Sequence, residues 1–329
     1  MHLIMPSQWL GIWRCGLIAA VLMCSPASYP RAPQAAPSAA GDPGTISTET
    51  DLVVLPVRVT DAAGNFVSGL TREQFQVYEN GRRQPVTLFR QEDVAITVGL
   101  IVDHSRSMGP KLWGVAEAVS AFAQSSNPND EMFVVDFSDN VSIEEPGGEA
   151  FSNDPRQLAQ AVSAVSAQGL TALYDAVAVG LDHLQLGHSD KKALIIVSDG
   201  GDNASRRKYS EVLELARQSQ AVIYAIVLVN ALEEENPGVL RHLCKDTGGL
   251  AFFPAEGESV AEVSSKIARD LREQYTLGFS PEHREGDSFQ KVRVVVSAPG
   301  RGKLNVRTRV GYFAAPQKQR PAGSSKDRS

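Results

Sequence analysis

No stretch of this sequence reaches the roughly 18 uncharged apolar residues that a membrane-crossing helix needs, so a membrane span is not expected. Cysteine is scarce: the 329 residues hold three, at Cys15, Cys24 and Cys244. The first two fall in the extreme N-terminal segment, and no disulfide framework can be built from the one that remains. Cys244, in the helical-looking run 240–244, reads as a small buried hydrophobe and not as a nucleophile. Basic charge is not in excess either. Lys and Arg number 32 against 38 Asp and Glu, a net charge of -6, which gives no field to attract a polyanion and excludes nucleic acid as an expected partner. The sequence lacks a Gly-x-x-x-x-Gly-Lys-[Ser/Thr] loop, a Gly-x-Ser-x-Gly elbow and a His-Glu-x-x-His pair, which removes the commonest signatures of nucleotide, ester and zinc-peptide chemistry. No internal repeat at a period of about 20–50 residues is visible.

What remains is an ordinary globular composition, 43% hydrophobic and 21% charged, with enough chain for one large core or two smaller ones. Residues 1–27 read as an export signal. Arg14 precedes a short apolar core, Cys15 to Met23, and small residues follow at Ser25, Ala27 and Ser28, the order of n-region, h-region and cleavage site. Lipid anchoring at Cys24 is disfavoured, because Met23 is large where a small residue is needed. The expected location is therefore exported, periplasmic or extracellular. Residues 28–45 are rich in Ala, Pro, Ser and Gly and form a linker; residues 315–329 form a polar, disordered tail.

Two kinds of pattern divide the rest. Between Leu52 and Phe89, and again between Tyr275 and Val310, apolar residues alternate with a period near two, with Asn80-Gly81 as the strongest hairpin signal. Neither half holds enough strands for a stable sandwich alone. Residues 46–93 and 275–314 are therefore expected to pair into one antiparallel β-sandwich-like domain, interrupted by an insertion at 94–274. The insertion alternates buried strand and helix: strands at 95–102, 132–137, 193–197, 222–228 and 249–253, and helices at 111–124, 173–186, 210–219 and 259–272. That order predicts an α/β, doubly wound and mostly parallel sheet, whose ligands lie at the carboxyl ends of the strands.

The chemistry-bearing residues fall at those ends. After the first buried strand comes Asp103-His-Ser105-Arg-Ser107, a carboxylate and two hydroxyls at alternate positions. Thr171 stands just before a helix, and Asp199 ends another buried strand. Hard oxygen donors of this kind suit Mg²⁺ or Mn²⁺, whereas zinc would ask for His or Cys. Each hydroxyl has a plainer reading as a helix cap, and Asp136, Asp175 and Asp202 read as supporting or surface groups. His104 and Arg106, between the ligands, are expected to point outward. Gly200-Gly201 and Gly109 are expected to serve tight turns near the ion.

With these residues in view, 94–274 resembles a von Willebrand factor type A domain, and Asp103, Ser105, Ser107, Thr171 and Asp199 resemble its metal-ion-dependent adhesion site. The flanking β segments in an exported chain further resemble the VWFA-related proteins of acidobacteria. The resemblance implies that Ser105, Ser107 and Thr171 supply hydroxyl oxygens, that Asp103 and Asp199 bind directly or through water, and that Mg²⁺, or else Mn²⁺ or Ca²⁺, takes a carboxylate from a partner protein into an open position. It implies a binding module and no enzyme. Two alternatives stay open: a structural type A domain without metal-dependent binding, and a metal-dependent phosphohydrolase, for which only two carboxylates are well placed.

Overall fold

The computed structural model describes residues 52–228, 237–281 and 288–313; the expected export signal with Cys24, the linker and the tail lie outside the described residues. The chain opens with β1 (Val53–Thr60), β2 (Phe75–Glu79), β3 (Arg82–Gln84) and β4 (Leu88–Arg90). It continues through β5 (Ile96–Asp103), α1 (Leu112–Gln124), β6 (Glu131–Phe137), β7 (Val141–Glu144), α2 (Pro155–Ser163), α3 (Leu173–His183) and β8 (Lys191–Ser198). Next come α4 (Tyr209–Gln218), β9 (Val222–Val227), α5 (Pro237–Thr247), β10 (Ala251–Phe252) and α6 (Val260–Arg272). It closes with β11 (Tyr275–Phe279), β12 (Phe289–Val296), β13 (Asn305–Arg307) and β14 (Gly311–Phe313).

Six strands form the central sheet in the order β10-β9-β8-β5-β6-β7. All neighbours are parallel except β6 and β7. All eight residues of β5 are buried, as a strand covered on both faces requires. Val98, Leu100 and Val102 pack with α1 and α6 residues such as Val119 and Ile267. Ile101, on the alternate face, joins Leu173 and Val177 of α3. The chain leaves β5 in one direction for β6 and returns on its other side as β8, so the strand order reverses between β5 and β8. A crevice opens at such a reversal, outside the carboxyl ends of the strands.

Two four-stranded antiparallel sheets, β13-β1-β11-β4 and β14-β12-β2-β3, enclose a third core with Leu55, Val57, Val77, Tyr275, Leu277 and Phe279. The first pairs β1 with β11, Val53 opposite Phe279, and the second pairs β2 with β12, Val292 opposite Glu79. Segments before and after the α/β sheet thus share both layers. Asn80 and Gly81 take φ of 48° and 84°, the left-handed pair that a two-residue hairpin turn needs. The alternating pattern that ends at Phe89 is split between two strands, β3 and β4. The turn leads into β3, and Pro85, which offers no N–H, ends that pairing before β4 crosses to the other sheet beside β11.

β7 and α2 are elements that the alternation did not reveal. β7 is a short, polar edge strand with no buried residue, and α2 buries only Leu158 and Val162, so each carries too few apolar positions for a clear period. The start of α2 was still marked locally: Asp154 accepts from the Arg156 N–H at 2.8 Å and Pro155 opens the helix.

The antiparallel sheets meet the α/β sheet at a buried ionic cluster. Asp270 of α6 pairs with Arg58 of β1 at 2.7 Å and with Arg307 of β13, and accepts from the Tyr224 hydroxyl of β9 at 2.5 Å. Arg309 is buried, and its guanidinium donates to the carbonyls of Arg217 and Ser219 at 2.7 and 2.9 Å. Burial lowers its pKa to about 10.

Candidate metal site at the carboxyl edge of the sheet

Asp103 ends β5, and its neighbour Ser198 ends β8 just before Asp199. Strand register brings these ends side by side, Val102 opposite Val197. After Asp103 the chain turns into a short 3-10 helix, Arg106–Lys111, anchored by the fully buried Met108. The turn holds itself together through Asp103, whose Oδ1 accepts from the Ser105 N–H at 2.8 Å.

From there the oxygens link in one chain. Ser198 donates its hydroxyl to Asp103 Oδ2 at 2.6 Å, the Ser105 and Ser107 hydroxyls lie 3.1 Å apart, and Ser107 donates to Asp199 Oδ2 at 2.6 Å. Asp103, Ser105, Ser107 and Asp199 are thus drawn together. Thr171 is fixed through its backbone to the loop after β8: its N–H donates to Asn203 Oδ1 at 2.8 Å, and its carbonyl accepts from Asn203 and Ala204. No hydrogen bond joins the Thr171 side chain to the other four among the described residues, although the residue is only 6% exposed.

The loops that carry these groups brace one another. The Arg106 N–H meets the Gly169 carbonyl at 3.4 Å, and Leu170 N–H donates to Asp139 Oδ1 at 2.9 Å. Gly169 has a φ of 74°, which favours glycine, and a Cβ there would displace the Asp139 carboxylate. Asp202 Oδ1 accepts from the Tyr174 N–H and the Ser205 hydroxyl, while Asp175 accepts from the N–H groups of Arg206 and Arg207. Each loop thereby satisfies the open backbone donors of the other.

None of the three hydroxyls caps a helix. The Ser105 side chain makes no cap bond, α1 begins after Lys111 without one, and α3 begins after Ala172. Capping therefore does not account for these side chains, and their chemistry fits a hard cation: two carboxylates and three hydroxyls, all oxygen. Among the described residues no group of three or more His, Cys, Asp or Glu stands placed to hold a metal, so the sharing of hydroxyls with carboxylates is the feature to weigh.

Electrostatics point the same way. Burial pushes the Asp103 carboxyl above its usual range, and the charge of Asp199 adds to that push, against hydrogen bonds from Ser105 and Ser198. A cation beside both acids would relieve that cost. The structure supplies one of its own: Lys111 places its ammonium 3.9 Å from Asp199 Oδ2 while donating to the Leu228 carbonyl at 2.7 Å.

His104 corrects one expectation. It is fully buried, not outward, with Nδ1 on Asp136 and Nε2 2.9 Å from the Val162 carbonyl. Burial alone would lower its pKa, but the hydrogen bond and charge of Asp136 outweigh that and hold it above the ordinary histidine value. Arg106 does stand exposed. Sequence reasoning missed Ser198, Lys111 and Asn203. Ser198 reads as the last residue of an apolar run, and only the Asp202-Asn203 pair carried a local signal, as side chains suited to bonding nearby backbone.

A family model of the von Willebrand factor type A domain matches residues 97–266. No curated protein matches the chain. Solved structures that resemble it include a von Willebrand factor type A protein from Catenulispora acidiphila, at 12% identity over 83% of this chain and 76% of that one, with a TM-score of 0.49. An aerotolerance-related membrane protein from Bacteroides fragilis aligns at 13% identity over 54% of this chain and 100% of that one, TM-score 0.45. The PilB minor pilin from Streptococcus sanguinis aligns at 13% identity over 56% and 63%, TM-score 0.43.

Proposed function

The chain belongs to the von Willebrand factor type A family, and we propose that it is an exported protein-binding module that uses a divalent cation, Mg²⁺ before Mn²⁺ or Ca²⁺, to grip an acidic side chain of a partner protein. Ser105, Ser107 and Thr171 would hold the ion through hydroxyl oxygens, and Asp103 and Asp199 through carboxylate oxygens, directly or through water. The observation that carries this reading is the linked run of oxygens from Ser198 through Asp103 and Ser105 to Ser107 and Asp199, built where the strand order reverses.

When bound, the ion would supply a positive charge to attract a carboxylate from outside the chain. The protein's own part is to keep the hydroxyls aimed, through the braced loops, and to keep two acids close enough to want a shared counter-charge. A binding role is favoured over hydrolysis because His104, the base within this loop, is turned away onto Asp136 and the Val162 carbonyl and so is not offered to a reacting group. Export rests on the signal-like residues 1–27. Among the described residues no helix is long and apolar enough to cross a membrane.

Calorimetric titration of the purified protein with Mg²⁺ and Mn²⁺ tests the reading. Saturable binding to wild type that is lost in the Ser105→Ala/Ser107→Ala variant is expected. Equal affinity in the variant, or no binding by wild type up to about millimolar metal, would contradict it.

A further inference from the structure

The net charge of -6 is unevenly spread along the chain. Residues 94–274 hold 14 Lys and Arg against 26 Asp and Glu, whereas 52–93 and 275–313 together hold 12 against 8. Part of that basic excess gathers on one side of the sheet β14-β12-β2-β3. Successive side chains of a strand point to opposite faces. Phe75, Val77, Val292 and Val294 point into the third core, so Gln76, Tyr78, Lys291 and Arg293 stand on the opposite face, where Lys291 and Arg293 are exposed. Register sets Arg83 of β3 opposite Tyr78, and Tyr78 opposite Arg293, an Arg-Tyr-Arg row across three strands. The Arg293 guanidinium lies 4.7 Å from the centre of the Tyr78 ring, and the Tyr78 hydroxyl donates to Gln76 Oε1 at 2.8 Å, so the row is held in place.

These cations lack acidic neighbours. Glu79, the one acid in β2, β3 and β12, is buried on the core side, where it accepts from the Tyr312 hydroxyl and from Gln84 Nε2. Among the described residues no ion pair or side-chain hydrogen bond engages Arg83, Lys291 or Arg293. Beyond the free edge of β3 the surface continues into a groove of about 500 Å³ lined by Arg72, Arg83 and Pro85, whose one acid, Glu73, is engaged by its own backbone and by Thr71. Strand spacing puts Arg83 and Arg293 roughly 10 Å apart across Tyr78, and Lys291 roughly 7 Å along β12 from Arg293. Cations separated in this way suit the repeating charges of a polymer better than one small anion.

We propose that this face binds a linear anionic polysaccharide, whose sulfate or phosphate groups sit on Arg72, Arg83, Lys291 and Arg293. The guanidinium fork matches either group with two parallel hydrogen bonds. Nucleic acid fits less well. Single-stranded nucleic acids stack their bases on open aromatic rings, and on this face Tyr78 and Phe289 already carry Arg293 and Arg217 against their rings. The export proposed above would also set the face among extracellular polymers. The metal site takes no part in this binding.

The test titrates a heparin dodecasaccharide into the full chain, in chelator and at about physiological salt. Saturable binding that weakens steeply as salt rises is expected. Arg83→Gln/Arg293→Gln, both at exposed positions, should bind at least about tenfold more weakly, through the loss of two charge-assisted contacts, while melting within about 3 °C of wild type. Arg206→Gln/Lys208→Gln, which removes the same charge from exposed positions of the α/β part, should bind as wild type does. No heparin binding by wild type, an equal loss in the second variant, or tighter binding of an oligothymidylate of equal charge would overturn the proposal. Because chelator is present throughout, each of these outcomes is independent of the metal-dependent reading.

Discussion

Ser107 donates its hydroxyl to Asp199 Oδ2 across 2.6 Å, although 92 residues separate them in the chain. The bond exists because β5 and β8 are neighbouring parallel strands whose carboxyl ends meet at the reversal of strand order. It ties the loop after one strand to the end of the other at the point where the site would have to be rigid.

Replacing Ser107 by Ala removes that link. In chelator the expected cost is about 1 kcal/mol, or a melting temperature lower by about 2–4 °C. Mg²⁺ affinity should fall at least about tenfold, far more than so small a stability change would produce by itself. Thermal unfolding and metal titration of the same variant check both parts, and an unchanged affinity would count against Ser107 as a ligand.

Asp103 gives a pH-dependent test. Burial and the charge of Asp199 raise its folded pKa, so its ionised form opposes folding. That penalty is absent below the ordinary aspartate range near about 4 and grows as pH rises through the higher folded value. In chelator at neutral pH, Asp103→Asn should therefore melt above wild type by about 2–4 °C, with the advantage vanishing in acid. The same variant should gain no stability from Mg²⁺. A lower melting temperature in chelator at neutral pH would contradict this account of Asp103.

Lys111 stands where a bound cation would be repelled, 3.9 Å from Asp199 Oδ2. Lys111→Met should strengthen Mg²⁺ binding roughly threefold to tenfold, given partial solvent screening at such a site. It should also lower the stability of the chelated protein, since Asp199 then loses its nearby positive charge. Titration calorimetry that finds equal or weaker binding would exclude Lys111 as a competing charge.

Much of this was legible beforehand because the informative residues obey local rules. The near-continuous apolar run at 95–102 marked a strand covered on both faces, and Asn80-Gly81 marked a hairpin whose backbone angles only such residues adopt readily. The oxygen positions Asp103, Ser105, Ser107 and Asp199 stood out because each falls where a strand gives way to a loop, and Thr171 because it stands just before a helix. Other features depended on partners distant in sequence. Nothing near His104 announces that Asp136, at the end of β6, will draw its ring inward. Nothing near Ser198 announces that its hydroxyl will meet Asp103, and Lys111 gains its meaning only from the end of β8. The polar, half-exposed β7 and the thinly apolar α2 escaped because periodicity needs several buried positions to show.

The ionic cluster at Asp270 predicts a stability effect remote from the site. Asp270→Ala would leave Arg58 and Arg307, which both pair with it, without that acid. Breaking a buried pair in this way costs about 3–5 kcal/mol, a fall in melting temperature on the order of 10 °C. Chemical denaturation giving a loss below about 1 kcal/mol would show that the cluster is not what holds the antiparallel sheets to α6.

The central claim, that five side chains form one cation site, is tested most directly by anomalous scattering from crystals of the protein soaked in Mn²⁺. The account predicts a single strong peak among the side-chain oxygens of Ser105, Ser107 and Thr171, close to Asp103 and Asp199, and its loss in Asp103→Ala crystals. A peak elsewhere with none at this edge, or a peak that persists unchanged in the variant, would contradict it.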